Sequence, residues 1–230
     1  MSLRLDTVFE HIENARKTLG AGRVIDVGSD HGHTAITCLE KRVAVSAVCT
    51  DINEGPAKIC RNNLDEAGYK DKATVVVTDG LDGVSLKEND IVVISGLGGL
   101  NTVDILRRVL EKDDLPAKDS IALVLQPQKS IEDLRRFLRS EGFRILDETP
   151  VLDSGFHYVV LTAVWDGNTD RPDISDTGYA YFGPVLIEKF KSPDPDAKEY
   201  YEYLERTLQV RGRSDPECLE ALEILKKIIN

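Results

Sequence analysis

The chain has 230 residues, a formal net charge of −11 at pH 7 and a hydrophobic content of 41%. Such a length fits one α/β domain with a small appendage, and the apolar fraction is sufficient for a sizeable core. The acidic balance argues against a protein coated for nucleic acid, since phosphate contacts require clustered Lys and Arg, but it does not exclude a polyanionic substrate.

Neither a targeting segment nor a metal motif stands out in the sequence. No apolar run approaches the roughly 20 residues that span a bilayer, and the N-terminus lacks a signal-peptide pattern. We therefore expect a cytoplasmic protein with no membrane association. The four cysteines form no Cys-x-x-Cys pair, which argues against a zinc or dithiol site. His31 and His33 have no evident third ligand, so no metal is predicted.

The first predicted elements form a glycine turn between a strand and a helix. Apolar residues three and four apart predict a helix over 3–19, and a short strand over 23–27 follows it. Gly28 and Gly32 come next, before a helix that begins near His33. A buried strand, a glycine turn and a helix N-terminus make a nucleotide-binding βα unit. We expect Gly28 to permit the tight turn and Gly32 to let a ligand approach the helix.

Asp26, at the end of that strand, indicates which cofactor the turn accepts. A dinucleotide would bring its pyrophosphate here, and a carboxylate would repel it. S-adenosylmethionine (SAM) instead brings a cationic amino acid portion, which Asp26 and backbone carbonyls can hold. The spacing Asp-x-Gly-x-x-x-Gly therefore favours SAM over the dinucleotide motif Gly-x-Gly-x-x-Gly. On these residues alone, a tight turn in any α/β protein fits equally well.

The second predicted strand also ends in an acid. A nearly continuous apolar run over 43–51 suits a strand of a parallel sheet that is covered on both faces. Asp51, with Ile52 beside it, lies about twenty residues past the glycine turn, where an acidic residue meets a ribose hydroxyl pair.

A third strand repeats the pattern. It is predicted over 73–78, after a helix over 53–68, and Asp79 and Gly80 follow it. Asp79 is expected to accept a hydrogen bond from an adenine amine, and Gly80 to leave room for the ring. A simple Asp-Gly turn is the alternative.

Glycines follow the fourth predicted strand, over 90–95. Three of the next four residues permit close backbone approach to a ligand; the four are Gly96, Leu97, Gly98 and Gly99. In α/β folds that bind SAM, the end of the fourth strand faces the methyl group that is transferred. Many amino-methylating enzymes carry an Asn- or Asp-Pro-Pro segment here, and its absence tells against that mechanism.

The remaining elements complete the predicted sheet. A fifth strand spans 121–127, a helix capped by Ser130 spans 130–140, and β-rich runs over 143–151 and 156–165 read as an antiparallel hairpin. Seven strands with such a final hairpin predict an α/β, Rossmann-like class I SAM methyltransferase fold rather than a dehydrogenase.

The last part of the chain is predicted to be helical. Residues 168–175 are polar and proline-containing, which is typical of a linker. A short helix over 185–190 precedes two longer ones, which a turn at 211–216 joins into a hairpin. We therefore divide the chain into a SAM-binding domain, 1–167, and a helical, coiled-coil-like domain, 168–230.

With these residues placed, the chain resembles the bacterial tRNA (adenine-N1)-methyltransferases of the TrmK family. The most distinctive shared segments are the Ser29-Asp30-His31 triplet and the Gly96-x-Gly-Gly99 loop. The other segments are Arg4-Leu5, Asp26-x-Gly28, Asp51 to Pro56, Asp79-Gly80, Leu125-Gln-Pro127, Gly142-Phe143, Tyr158 and Phe182-Gly-Pro184. The resemblance implies a cytoplasmic, SAM-dependent enzyme that methylates N1 of adenine 22 in tRNA.

The strand ends and the resemblance together mark a set of cofactor-binding residues. They are Asp26, Gly28, Ser29, Asp30, His31, Gly32, Asp51, Ile52, Asp79, Gly80, Gly96, Leu97, Gly98 and Gly99.

Asp30 and His31 are the catalytic candidates. Adenine N1 carries its own lone pair, so the protein must mainly align it with the methyl carbon and the sulfur. A carboxylate near the exocyclic amine would stabilise the positive charge that develops on the base. For Asp30, a cap on the following helix is an equally good interpretation.

Candidate substrate contacts lie further along the chain, and each has a structural alternative. They are Gln126 and Pro127 (target base or pocket frame), Tyr158 (base stacking or hairpin packing), and Arg135, Arg136 and Arg139 (phosphate or a solvated helix face).

Two other classes of function fit the same sequence. Residues 32–35, Leu97, Gln128 and Val159 depart from the usual residues of the TrmK family, and they surround the expected active site. A SAM methyltransferase of a small molecule or a protein is therefore one alternative, and a SAM-binding module without catalysis is the other. The sequence does not indicate an oligomeric state.

Overall fold

A computed structural model describes residues 2–20, 22–112, 118–170 and 175–229. The strands are β1 (Arg23–Val27), β2 (Ser46–Asp51), β3 (Ala73–Val77), β4 (Ile91–Ser95), β5 (Ala122–Gln126), β6 (Phe143–Asp153) and β7 (Phe156–Trp165). The helices are α1 (Leu3–Leu19), α2 (His33–Glu40), α3 (Glu54–Glu66), α4 (Gly99–Leu110), α5 (Ile131–Ser140), α6 (Asp176–Phe182), α7 (Pro184–Phe190), α8 (Pro195–Arg211) and α9 (Pro216–Ile229). A 3₁₀ turn spans Lys118–Ser120.

The seven strands form one sheet in the order β3-β2-β1-β4-β5-β7-β6. The first five strands are parallel, whereas β7 runs antiparallel to both β5 and β6. Apolar side chains on both faces of the central strands explain this arrangement, because helices cover the sheet on both sides. The predicted fold class and its final hairpin are confirmed.

The register brings the predicted acids to one edge of the sheet. Val27 of β1 lies opposite Thr50 of β2, and Asp51 lies opposite Val77 of β3. Between β1 and β4 the strand order reverses, which leaves a crevice at the carboxyl ends where open α/β sheets bind ligands.

Helix α1 covers one face of the sheet. Its buried stripe is Val8, Phe9, Ile12 and Ala15. These residues share a core with Val24, Val93 and Val124 of the central strands. The helix therefore holds its first turn beside the carboxyl ends of β4 and β5.

Helices α6 to α9 enclose a second core, which includes Phe182, Tyr200, Leu208 and Leu225. Helices α7, α8 and α9 match the predicted ones, whereas α6 was not predicted. The predicted linker ends where α6 begins, and its residues 171–174 lie outside the described residues. Among the described residues, no helix is long and apolar enough to cross a membrane.

A buried ion pair joins this second core to the sheet. The Arg135 guanidinium of α5 lies 2.8 Å from Glu148 Oε1 of β6, and both side chains are 0% exposed. Arg135 also donates to the carbonyls of Ala180 and Tyr181, each at 3.0 Å. Glu148 Oε2 accepts from the Val185 N–H at 3.0 Å. This one buried pair thus provides hydrogen-bond partners for backbone carbonyls at the end of α6 and for a backbone N–H group at the start of α7.

The predicted side-chain cap of α5 is wrong. Ser130 precedes the helix with φ of 55°, and its hydroxyl makes no capping hydrogen bond. The Gly99 N–H donates to the Lys129 carbonyl at 2.8 Å. This contact with the start of α4 fixes the backbone just before α5, and Ser130 makes no capping hydrogen bond there.

Candidate active site

The glycine turn after β1 uses its own N–H groups. The N–H groups of Gly28 and Ser29 both donate to the Thr50 carbonyl at 2.9 Å, and the Gly32 N–H donates to the Ser29 carbonyl at 2.7 Å. Gly28 has φ of 69°, a left-handed conformation that favours glycine. A pyrophosphate would need such N–H groups for itself. The structure therefore supports, independently of charge, a ligand other than a dinucleotide.

Asp26 lies beneath this turn and not on the open wall of a cleft. Its side chain is buried, and its carboxylate accepts a hydrogen bond from the backbone N–H of Ala35 in α2. Its Oδ2 has no hydrogen-bond partner among the described residues. Burial raises the pKa of Asp26 to about 7. Asp26 is thus a buried carboxylate with one unpaired oxygen, which differs from the predicted side chain that points straight at a ligand.

A cleft of about 480 Å³ lies over the carboxyl ends of β1 to β4. Its walls consist of Val27, Gly28, Thr50, Asp51, Ile52, Asn53, Thr78, Asp79, Gly80, Leu97, Asn101, Asp104, Ile105 and Arg108. The structure therefore brings together six of the predicted residues: Gly28, Asp51, Ile52, Asp79, Gly80 and Leu97. Residues 29–32, 96 and 98–99 lie outside these walls.

Two carboxylates of the cleft lie at or just after the ends of the neighbouring strands β2 and β3. Asp51 Oδ1 accepts from the Asn53 N–H at 2.9 Å, which orients this carboxylate at the end of β2. Asp79 pairs with Arg108 of α4 at 3.2 Å, and Asp82 lies 3.5 Å from the same guanidinium. The hydrogen bond to Asp79 is the main cause that raises the pKa of Arg108. Arg108 therefore competes with any ligand amine for Asp79.

Several glycines serve the packing of the chain against itself. A Cβ at Gly80 would lie 2.7 Å from Ile105, and one at Gly32 would lie 2.7 Å from Cys60 Sγ. A Cβ at Gly99 would lie 2.1 Å from the Ser130 carbonyl oxygen. At all three positions protein atoms occupy the space that a Cβ would take, so packing of the chain against itself is one reason for glycine there.

A cluster around Gln126 lies at the carboxyl ends of β4 and β5. Gln126 is fully buried, and its Oε1 accepts from Arg4 at 2.8 Å, from the Gly96 N–H at 3.1 Å and from Ser95 at 3.2 Å. The Arg4 guanidinium lies 5.6 Å from the ring centroid of Tyr158. Of the two predicted roles for Gln126, the structure shows the frame of a pocket and not a group free to bind a base.

The comparisons with known proteins agree with this geometry. Residues 1–161 match the family described as methyltransferase domain.

The chain belongs to this methyltransferase family.

Its relatives extend the likeness over whole chains. The methyltransferase is 27% identical to the tRNA (adenine(22)-N(1))-methyltransferase of Bacillus subtilis, with 100% of this chain and 97% of the relative aligned. The crystal structure of the B. subtilis m1A22 tRNA methyltransferase TrmK has a TM-score of 0.79 at 24% identity, covering 100% of this chain and 99% of that one. A Streptococcus pneumoniae structure in complex with S-adenosyl-L-methionine has a TM-score of 0.77 at 24% identity, covering 96% and 99%.

The two catalytic candidates of the methyltransferase lie at the rim of the turn. Asp30 and His31 are exposed, and His31 Nε2 lies 3.5 Å from Asp30 Oδ2. Asp30 does not cap α2, because Gly32 occupies the N-cap position without a side-chain hydrogen bond. The His31 and His33 rings are 5.7 Å apart. No group of three potential metal ligands occurs among the described residues.

The predicted phosphate-binding arginines are engaged within the protein. Arg135 is fully buried in its ion pair with Glu148, so the prediction that it contacts phosphate is wrong. Arg136 pairs with Asp176 and Glu217. Arg139 lies 4.9 Å from the ring centroid of Tyr179. Sequence proximity therefore does not make these residues a free cationic surface.

Sequence reasoning missed the residues that α4 contributes to the cleft. Asn101, Asp104 and Arg108 recur three and four residues apart, on the side opposite the buried stripe of Val103, Leu106 and Val109. That helical spacing carries the signal. The role of Arg4 carries no local signal, because its partner Gln126 lies 122 residues away.

Proposed function

We propose that this chain is a SAM-dependent methyltransferase that methylates N1 of adenine 22 in tRNA. The acid-lined cleft over the ends of β1 to β4 carries the proposal, together with membership of the methyltransferase family. The B. subtilis relative, aligned over nearly all of both chains, supports the choice of tRNA.

The residues of the cleft suit the parts of SAM. We assign Asp51, at the end of β2, to accept hydrogen bonds from the ribose hydroxyls, and Asp79 to accept one from the adenine amine in competition with Arg108. The unpaired Oδ2 of Asp26 is a buried acceptor that a cationic ammonium group, directly or through water, would satisfy. When bound, SAM supplies an electrophilic methyl group.

The target base needs alignment more than proton removal. Adenine N1 has a free lone pair, so no general base must act before the new N–C bond forms. The protein contributes by holding N1 in line with the methyl carbon. The base becomes positive in the reaction, and we assign Asp30, at the rim of the turn, to stabilise that charge, with His31 at 3.5 Å as its partner.

We also propose a division of labour along the chain. Residues 1–167 hold the cofactor and the target base, and residues 168–230 extend the surface that tRNA contacts. We propose that the activity takes place in the cytoplasm, where tRNA is available, and the resemblance to tRNA-modifying enzymes supports this location.

The test uses labelled SAM and unmodified tRNA transcripts. We expect label in tRNA, and a stop of reverse transcriptase opposite position 22, because a methyl group on N1 blocks Watson–Crick pairing. Replacing that adenine with guanine should abolish both signals. Asp51→Asn should weaken SAM binding on the order of tenfold, the loss of a hydrogen bond to a charged group.

The same assay separates the alternatives. SAM binding without label in any tRNA would favour a small-molecule or protein substrate, or a module without catalysis. Label at another nucleotide would support a tRNA methyltransferase but contradict adenine 22 as the target. Binding of a nicotinamide dinucleotide in place of SAM would contradict methyl transfer altogether.

A further inference from the structure

A groove separate from the cofactor cleft opens between the β6–β7 hairpin and α8. Six residues line this hairpin groove, Gln128, Gly155, Phe156, His157, Tyr158 and Tyr203, and its volume is about 410 Å³. Four of the six are aromatic. No step of the proposed function assigns a role to His157, Phe156 or Tyr203.

Flat aromatic faces dominate the groove. The His157 and Tyr203 rings are stacked, with centroids 4.3 Å apart and an interplanar angle of 24°. Phe156 is 65% exposed, and its ring centroid lies 6.4 Å from that of Tyr158. The other three rings are partly buried, and a cluster of aromatic rings with an exposed member is typical of an interaction site.

The hairpin groove and the cofactor cleft share a wall. Leu97 lines the cleft, and its carbonyl accepts from the Gln128 N–H at 2.8 Å. The side chain of Gln128 lines the groove. The loop of residues 96–99 therefore separates the two sites, so a chain that places one nucleotide in the crevice reaches the groove with a neighbouring one.

Cations at the rim of the groove suit a polyanionic chain. Lys129 is exposed, and Arg4 lies 5.6 Å from the ring centroid of Tyr158. Glu132, in one adjoining pocket, is paired with Arg211 at 3.4 Å. Glu199 and Arg206 act on the charge of His157 with opposite signs. In a chain of net charge −11, this local balance admits an anionic chain, and the flat aromatic faces favour a nucleobase over the side chains of an acidic peptide.

From these observations we propose that the hairpin groove binds a second nucleobase of the tRNA, next to the target adenine in the loop. The inference rests on the proposed function, since it names a further contact for the same substrate. The base stacks on the His157–Tyr203 pair, as unpaired bases stack on aromatic side chains in RNA-binding proteins. Holding a neighbour in this way fixes the register of the target base.

Matched variants at Tyr203 test the proposal. Tyr203→Leu removes the flat π face but keeps apolar bulk, whereas Tyr203→Phe keeps the face. We expect the Leu variant to raise KM for tRNA on the order of tenfold, as expected for losing one base–aromatic stack. SAM affinity and kcat at saturating tRNA should stay close to those of the unaltered chain, and the Phe variant should restore KM.

A fluorescence measurement gives a second readout. Transcripts carry 2-aminopurine at one position at a time on either side of the target, and stacking quenches its emission. We expect quenching at one position with the unaltered chain and with Tyr203→Phe, and its loss with Tyr203→Leu. Equal KM values and equal emission for both variants would contradict the proposal that the hairpin groove binds a nucleobase. Failure of the unaltered chain to methylate tRNA at all would instead overturn the proposed function.

Discussion

At the residue scale, the buried carboxylate of Asp26 couples cofactor binding to protons. Its pKa is raised to about 7, and a cationic group beside Oδ2 would favour the charged form and lower that pKa. We expect SAM affinity to fall by about tenfold per pH unit below pH 7, with proton release on binding at pH 7. Calorimetry at pH 7 in buffers of different ionisation enthalpy measures that release.

The control for this coupling is Asp26→Asn. It should weaken SAM binding and make the heat independent of the buffer. A raised pKa means that Asp26 opposes folding increasingly as pH rises from about 4 to 7, so the variant should also be more stable at pH 8. The upper limit is about 4 kcal/mol. A buffer-independent heat in the unaltered chain would contradict the role.

Arg4 is a second residue whose role depends on contacts with residues distant in the sequence. It donates to Gln126 Oε1 at 2.8 Å and lies against Tyr158, so it positions the wall beside Gly96. We expect Arg4→Met to lower kcat by about tenfold, the loss of a hydrogen bond from a charged donor, without changing SAM affinity. Steady-state kinetics and a SAM titration check this.

Arg4→Lys supplies the matched control. A lysine can donate to Gln126, but it lacks the planar group that lies over the Tyr158 ring. We therefore expect partial recovery of kcat. A loss of SAM affinity equal to the loss of kcat in Arg4→Met would show that the wall serves cofactor binding instead.

At the element scale, His11 makes the attachment of α1 to the hairpin sensitive to acid. Its ring nitrogens lie 2.8 Å from Thr162 Oγ1 and 2.9 Å from Thr149 Oγ1. Burial lowers the pKa of His11 to about 4, although Asp147 opposes this and Lys189 adds to it. Because this value lies below the unfolded value of 6.5, the stabilisation is present above pH 6.5 and is lost as pH falls from 6.5 to 4.

The expected loss is on the order of 3 kcal/mol. Thermal unfolding between pH 7.5 and pH 4 measures it, with His11→Gln as the comparison chain. The difference between the two chains isolates His11, since Asp26 contributes equally to both. If Tm falls with pH in the same way in both chains, His11 is not the cause of the acid sensitivity.

The buried pair of Arg135 and Glu148 links α5, β6, α6 and α7. Removing one partner leaves a buried charge uncompensated, so we expect Arg135→Met to cost about 3–5 kcal/mol of unfolding free energy. Adding Glu148→Gln removes the remaining charge but keeps an acceptor for the Val185 N–H. The double variant should therefore be more stable than Arg135→Met alone. Urea denaturation checks this, and additive losses would contradict the coupling.

At the scale of the whole molecule, hydrophobic patterning predicted the sheet because central strands such as β4 and β5 are nearly continuous apolar runs. The acids at the strand ends were predicted from the same apolar runs, because they mark where a run stops. The contacts of Gly32 with Cys60, Gly80 with Ile105 and Gly99 with Ser130 were not, since each partner lies at least 25 residues away. Arg135 was misread because Glu148, which neutralises it, belongs to another element. Long-range packing is the part that local spacing leaves undetermined.

Charge distribution over the molecule sets the salt dependence of tRNA binding. The net charge is −11, and Arg136 pairs with Asp176 and Glu217, so few cations of α5 can neutralise phosphate. We expect KM for tRNA to rise with salt, and Lys129→Gln at the rim of the hairpin groove to lower the slope of log KM against log [KCl] by about one. Arg136→Gln is the matched control and should leave the slope unchanged. If the control lowers the slope as Lys129→Gln does, then the phosphates lie along α5, and the tRNA path over the hairpin groove is wrong.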